Sequence, residues 1–242
     1  MKVFGLETHF VEMGEGYPVV LLHGWGANSE AMLGLGRELS TRYHVVIPDL
    51  WGFGKSEPPT DFDVYAYAQA VVEFLDKLNL KRVSLVGHSF GGRLALIVAG
   101  LHSKRLEKLV LIDSAGVKPR FSLKKHIQIL RYKKAKQKVL SGEASSNILD
   151  KFGSKDFKQL DKNMQKIFVR VVNEDLTPLL PKVEAKTLIL WGKNDKETPR
   201  YMAKVLHKNL KYSMLKWLNG GHFAYVDSQK QALQLIFEFL EA

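Results

Sequence analysis

Apolar positions along the chain fall into two spacings that alternate. Pro18-Val19-Val20-Leu21-Leu22, Tyr43-His44-Val45-Val46-Ile47, Arg82-Val83-Ser84-Leu85-Val86, Leu106 to Ile112 and Thr187-Leu188-Ile189-Leu190-Trp191 are short runs dominated by branched apolar residues. Runs of that length and type read as strands covered on both faces. Tyr212 to Trp217 reads as a further strand, and Glu7 to Met13 as a polar-apolar strand leading into the turn Gly14-Glu15-Gly16. Between them lie stretches of helical length and period. One is capped by Asn28 or Ser29 and runs to about Thr41; others cover Val64–Leu78, the segment opening at Gly92 to Ala99, Pro199–His207 and Ser228–Leu240. Pro199 suits the first turn of its helix because the missing N–H has no partner there anyway. Strands alternating with helices predict an α/β fold with a mostly parallel central sheet and helices on both faces.

One segment breaks this rhythm. Residues 117 to about 182 are helical and lysine-rich, and Pro178 and Pro181 mark the return to alternation. The chain of 242 residues carries a net charge of +11, and residues 118–170 alone hold 15 Lys+Arg against 4 Asp+Glu. The remainder is therefore neutral. The compositional break divides the chain into a core of residues 1–116 and 183–242 and a helical basic cap, residues 117–182, inserted in it. The basic segment has two readings: a solvated lid surface, or an attractor of anionic substrates or of an anionic membrane surface. Leu123, Ile127 and Leu130 make a short apolar stripe, but Ile129 and Tyr132 lie off it. No nucleic-acid motif accompanies the charge, so no nucleic-acid partner is expected. The absence of cysteine excludes disulfides and thiolate metal sites and suits a reducing cytoplasm. No run approaches the 18 or so apolar residues of a membrane span, and the first residues have no signal-peptide core.

The chemistry is concentrated at Gly87-His88-Ser89-Phe90-Gly91, at the joint between a predicted strand and a predicted helix. Gly-x-Ser-x-Gly by itself arises by chance in roughly one chain in ten of this length. Its position makes the difference: a serine on a tight strand-to-helix turn is thrust out of the backbone at a helix N-terminus, which favours a developing oxyanion. Serine needs a base to take its proton, and the base needs a third group to hold it. His222, in Asn219-Gly220-Gly221-His222-Phe223, is the predicted base, and Asp195, in Gly192-Lys193-Asn194-Asp195, the predicted acid. Both follow predicted strands, as Ser89 does. Asp113 also ends a strand and is the alternative acid. The backbone N–H groups of Phe90 and Trp25 are the predicted oxyanion donors. His23 and His88 are expected to hold loops, Asp49 to be structural in its glycine loop, and His44, His102, His126 and His207 to lie in elements or on the surface. No metal or cofactor is called for.

The chain resembles the α/β-hydrolase superfamily over nearly its whole length. The resemblance is carried by His23-Gly24-Trp25-Gly26, Asp49-Leu50-Trp51-Gly52-Phe53-Gly54-Lys55-Ser56, the Ser89 turn and the Asp195 and His222 loops. It is most like the compact capped serine esterases and carbon–carbon bond hydrolases of that superfamily. Ser89 departs from the haloalkane dehalogenase and epoxide hydrolase branches, where the nucleophile is an aspartate. The amino terminus is short for a full first hairpin, so the edge strand is expected to be missing or reduced. The resemblance implies cleavage of small carboxylic esters through an acyl-enzyme. Carbon–carbon, thioester and lactone cleavage use the same triad, and a ligand receptor that retains the triad with little turnover is the alternative of another class.

Overall fold

The computed structural model describes residues 1–120, 123–145, 147–148, 157–158 and 160–242, and the side chains of 124–126 fall outside that description. Among the described residues, nine strands form two sheets. Lys2–Val3 (β1) and Leu6–Glu7 (β2) make a small antiparallel hairpin of their own. The main sheet has seven strands: Phe10–Met13 (β3), Pro18–Leu22 (β4), His44–Pro48 (β5), Val83–His88 (β6), Leu106–Ile112 (β7), Lys186–Gly192 (β8) and Ser213–Leu218 (β9). Their order is β3-β5-β4-β6-β7-β8-β9. β3 alone runs antiparallel, pairing Phe10 with Pro48, and the other pairings are parallel. The edge strand is thus present in reduced form, four residues long, shorter than the Glu7–Met13 run predicted. Thr8 and His9 leave the ladder because their backbone N–H groups are taken up elsewhere, by the Met1 carbonyl at 2.7 Å and Ser56 Oγ at 3.0 Å.

The apolar strand runs are explained by two cores, one on each face. Val20 and Leu22 of β4 and Leu109 and Leu111 of β7 point to one face, while Val19, Leu21, Val110 and Ile112 point to the other. That is the period of two imposed by the pleat. The first face is covered by Val64–Lys77 (α2), Phe90–Leu101 (α3) and, further along the chain, Arg200–Asn209. The second is covered by Leu33–Leu39 (α1), which extends a 3-10 turn capped by Asn28, and by Gln229–Glu241 near the carboxyl terminus. Asp63 caps α2 by accepting the Ala66 N–H at 2.8 Å.

Between β7 and β8 the chain forms Leu123–Leu140 (α4), Lys162–Asn173 (α5) and a 3-10 turn over Thr177–Lys182. The three later helices, Arg200–Asn209, Ala224–Asp227 and Gln229–Glu241, are α6, α7 and α8. α5 is well anchored. Asp161 caps it, Met164, Ile167 and Val171 are buried, and Arg170 pairs with Asp61. Its carboxyl end is held by Arg93 of α3, whose guanidinium donates to the Glu174 carbonyl at 2.6 Å. No helix among the described residues is long and apolar enough to cross a membrane.

Candidate active site

Six parallel strands bring their carboxyl ends to one edge of the sheet, the usual place for a ligand crevice in such folds. Ser89 follows β6 and opens α3 with φ 50° and ψ −110°. That conformation is strained for a residue with a side chain. It is held by three backbone bonds: Ser89 N–H to the Ile112 carbonyl at 3.0 Å, and Arg93 and Ala115 N–H to the Ser89 carbonyl at 3.1 and 3.0 Å. The glycine two residues on is required by a close approach. A Cβ on Gly91 would sit 2.1 Å from the Leu22 carbonyl oxygen, so any side chain would push the helix off β4.

His222 lies between β9 and the short helix α7, and Asp195 between β8 and α6. The serine hydroxyl donates to His222 Nε2 at 3.0 Å, and His222 Nδ1–H donates to Asp195 Oδ2 at 2.9 Å. The three predicted residues therefore form one hydrogen-bonded chain. Thr198 Oγ1 donates to Asp195 Oδ2 at 2.6 Å, and the backbone N–H groups of Glu197 and Thr198 donate to Oδ1 at 2.8 and 2.9 Å. Burial opposes ionisation of Asp195, but the bonds from His222 and Thr198 outweigh it and hold its carboxyl below the usual range. On His222, burial would lower the pKa, and the adjacent Asp195 carboxylate more than reverses that, so the net direction is upward. Glu197, largely exposed, brings Oε2 to 3.4 Å from Nε2 on the serine side of the ring.

Asp113 directly follows β7 but takes a different part. Its Oδ1 accepts the Gly192 N–H at 2.7 Å and its Oδ2 the Ala224 N–H at 3.2 Å. It ties together the backbones of the two loops that carry Asp195 and His222. Full burial pushes its carboxyl up to about 7, with the nearby Asp195 charge adding to the rise.

The neighbouring histidines hold loops. His88 Nε2–H donates to the His222 carbonyl at 2.7 Å. His23 Nε2 accepts the Leu50 N–H at 2.9 Å, and its Nδ1–H donates to the Gly24 carbonyl at 2.8 Å. Burial pushes both imidazoles down to about 4, so both are neutral at physiological pH. Asp49 accepts from Ser29 N–H at 2.7 Å and Lys55 N–H at 2.8 Å, closing the glycine loop. The side chain of His126 lies outside the described residues.

The loop bearing Trp25 passes against the serine. A Cβ on Gly24 would lie 3.4 Å from Ser89 Cβ and 3.0 Å from His88 Nδ1, so Gly24 lets that backbone close on Ser89. Phe90, the residue after it, occupies the first position of α3, where N–H groups have no partner within the helix. The Trp25 ring meets Phe90 and Phe53 at 5.1 and 4.9 Å edge to face, and Phe168 of α5 at 5.1 Å. These rings form an aromatic wall beside Ser89 in which the Trp25 indole N–H is buried without a hydrogen-bond partner. An open depression of about 690 Å³ on the acid loop, lined by Lys193, Lys196, Arg200 and Tyr201 among others, shares Asp195 with this site but not Ser89 or His222.

The sequence did not point to Thr198 or Glu197; it did predict that His88 holds a loop, though not that the loop is that of His222. Thr198 was detectable, since Asp followed by a residue with a free N–H two and three positions later is an Asx-turn pattern. The His88 bond spans distant parts of the chain and left no local signal.

The chain belongs to the alpha/beta hydrolase fold family, whose model matches residues 17–170. It is 27% identical to a 2-hydroxy-6-oxo-2,4-heptadienoate hydrolase of Pseudomonas putida, with 98% of this chain and 94% of that protein aligned. Its structure is similar to an esterase from Exiguobacterium antarcticum, with a TM-score of 0.79, 26% identity and coverage of 99% and 97% of the two chains. It is also similar to a bacterial membrane phospholipase A, with a TM-score of 0.77, 28% identity and coverage of 100% and 84%. The first curated relatives it matches, at 37% identity, are mycobacterial proteins of which the chain spans 34%.

Proposed function

We propose that this protein is a serine hydrolase that cleaves small carboxylic esters through an acyl-enzyme. The observation that carries the reading is the unbroken hydrogen-bond chain from Ser89 Oγ through His222 to Asp195, beside a helix N-terminus. In the forward step, Ser89 Oγ attacks the ester carbonyl while His222 Nε2 takes its proton. Asp195, held by Thr198, keeps the Nδ1–H tautomer and stabilises the imidazolium. The Phe90 and Trp25 N–H groups receive the oxyanion. His222 then gives its proton to the leaving alkoxide, and water repeats the sequence to free the acid. The residues conducting the reaction are Ser89, His222 and Asp195, and no metal or cofactor enters any step. The cysteine-free composition suits a cytoplasmic setting.

Labelling of Ser89 by a fluorophosphonate probe, together with multiple turnovers of p-nitrophenyl acetate, tests the reading. Labelling without turnover would instead indicate a ligand receptor that keeps the triad. The similarity to the pseudomonad hydrolase over nearly the full chain favours carbon–carbon cleavage as the second reading. Comparing kcat/KM for 2-hydroxy-6-oxo-2,4-heptadienoate with that for short acyl esters decides between them. The likeness to a membrane phospholipase A puts glycerophospholipid esters on the same substrate panel.

A further inference from the structure

Among the described residues, little is packed against helix α4. Ala135 is buried and Val139 half-buried, while the other described side chains of Leu123–Leu140 are exposed. Leu123, Ile127, Ile129, Leu130 and Leu140 are 65%, 42%, 52%, 51% and 77% exposed. At 3.6 residues per turn, Leu123, Ile127, Leu130 and Lys134 fall on one stripe, turned away from the side on which Ala135 and Val139 meet the protein. The helix carries seven Lys+Arg and no Asp or Glu. A helix that merely faced water would gain nothing from exposing five large apolar side chains among cations that repel one another.

We propose that α4 docks the protein on an anionic phospholipid bilayer, lying in the headgroup plane. Ile127 and Leu130 enter the acyl boundary, and Arg131, Lys133, Lys134 and Lys138, which lie on or beside that stripe, meet lipid phosphates. Charge complementarity selects this occupant, since all the excess charge of the chain falls within residues 118–170. A nucleic acid or an acidic protein would satisfy the lysines and leave Ile127 and Leu130 without a role. The inference does not depend on the hydrolase reading, because docking is measured on protein with Ser89 replaced.

The test is sedimentation of Ser89→Ala protein with phosphatidylcholine vesicles that contain or lack phosphatidylglycerol. The protein is expected to pellet with the anionic vesicles, to stay in solution with the neutral ones, and to be released at about 1 M salt, where screening acts within ~3 Å. Each lysine removed is expected to lower the partition constant about five-fold, so Lys133→Gln/Lys134→Gln/Lys138→Gln lowers it about 10²-fold. Ile127→Ser/Leu130→Ser, with charge intact and an unchanged urea midpoint, is expected to lower it about ten-fold or more. Equal sedimentation with both vesicle types, or none, overturns the proposal. So does full binding by the Ile127→Ser/Leu130→Ser protein, which would reduce α4 to a polyanion-binding surface.

Discussion

Asp113 and Asp195 end or follow adjacent parallel strands, β7 and β8, and only Asp195 meets the His222 imidazole, at 2.9 Å. Asp113 is committed to the backbone N–H groups of Gly192 and Ala224. Two carboxylates that look equivalent along the chain are thus separated by their partners: one faces a titrating ring, the other fixes the loops on either side of it.

Asp195→Asn is expected to lower kcat about 10³- to 10⁴-fold, because an amide in that position disfavours the Nδ1–H tautomer and cannot stabilise the imidazolium. Asp113→Asn, which leaves the ring's partner in place, is expected to cost less than about ten-fold. Steady-state kinetics of the two folded variants check this, and a larger loss at Asp113 would reverse the assignment of the acid.

Ser89→Ala and His222→Ala are each expected to reduce ester turnover by about 10³-fold or more while leaving the fold intact. Because the two act as a unit, the double variant should be no worse than either single one. Near-normal turnover in folded Ser89→Ala protein would place the nucleophile elsewhere.

With His222 as the proposed base, the acid limb of kcat/KM is expected to follow its titration. Only the neutral ring accepts the serine proton, and Asp195 raises the ring's pKa above 6.5 against the opposing effect of burial. Activity should therefore be half lost at a pH above 6.5 as acid is added. A profile flat through the mildly acidic range would argue against histidine as the base.

The buried Asp113 predicts a pH dependence of stability. Its carboxyl titrates near 3.8 when unfolded and near 7 in the fold, so the folded state binds this proton more tightly. Its stabilising contribution is complete below about 3.8 and is lost as pH rises through about 7. A displacement of that size corresponds to roughly 4 kcal/mol. Urea midpoints of the protein should fall, relative to those of Asp113→Asn, between mildly acidic and mildly alkaline buffer.

Arg93 is 4% exposed and binds the carbonyl at the end of α5. Burial pulls its pKa down to about 10, which still leaves it charged at neutral pH. Arg93→Met keeps the stem and removes the donor, and is expected to cost about 1–3 kcal/mol. Urea denaturation measures the loss, and faster trypsin cleavage within the lysine-rich segment should accompany it.

Much of this was legible along the chain, for identifiable reasons. Pro18–Leu22 and Leu106–Ile112 match the strands residue for residue: the first has no polar position to blur its ends, and in the second only Glu107 and Lys108 interrupt the apolar run. The Ser89 turn was legible because its glycines, Gly87 and Gly91, answer to backbone contacts that no side chain could share. The first strand is shorter than its pattern predicts, because the Thr8 and His9 N–H groups turn to Met1 and Ser56, partners that no local pattern reveals. α4 has no clear apolar period because so little of its surface is packed, and periodicity is the imprint of a packed face. The division of labour between Asp113 and Asp195 depended on which backbone N–H groups came within reach, which only the folded chain decides.

The chain leaves the main sheet after Ile112 and rejoins it at Lys186, at neighbouring strands. Asp113 and Ala115 stay with the core, since they hold the Asp195 and His222 loops and Ser89, but the stretch 117–182 can lengthen, shorten or change character without altering a sheet register. Ser89, Asp195 and His222 all hang from strands outside that excursion. The reactive end of the molecule and the surface through which it meets its surroundings are thus free to drift at different rates, and a chimera that exchanges residues 117–182 should inherit the nucleophile from one parent and its preferences from the other.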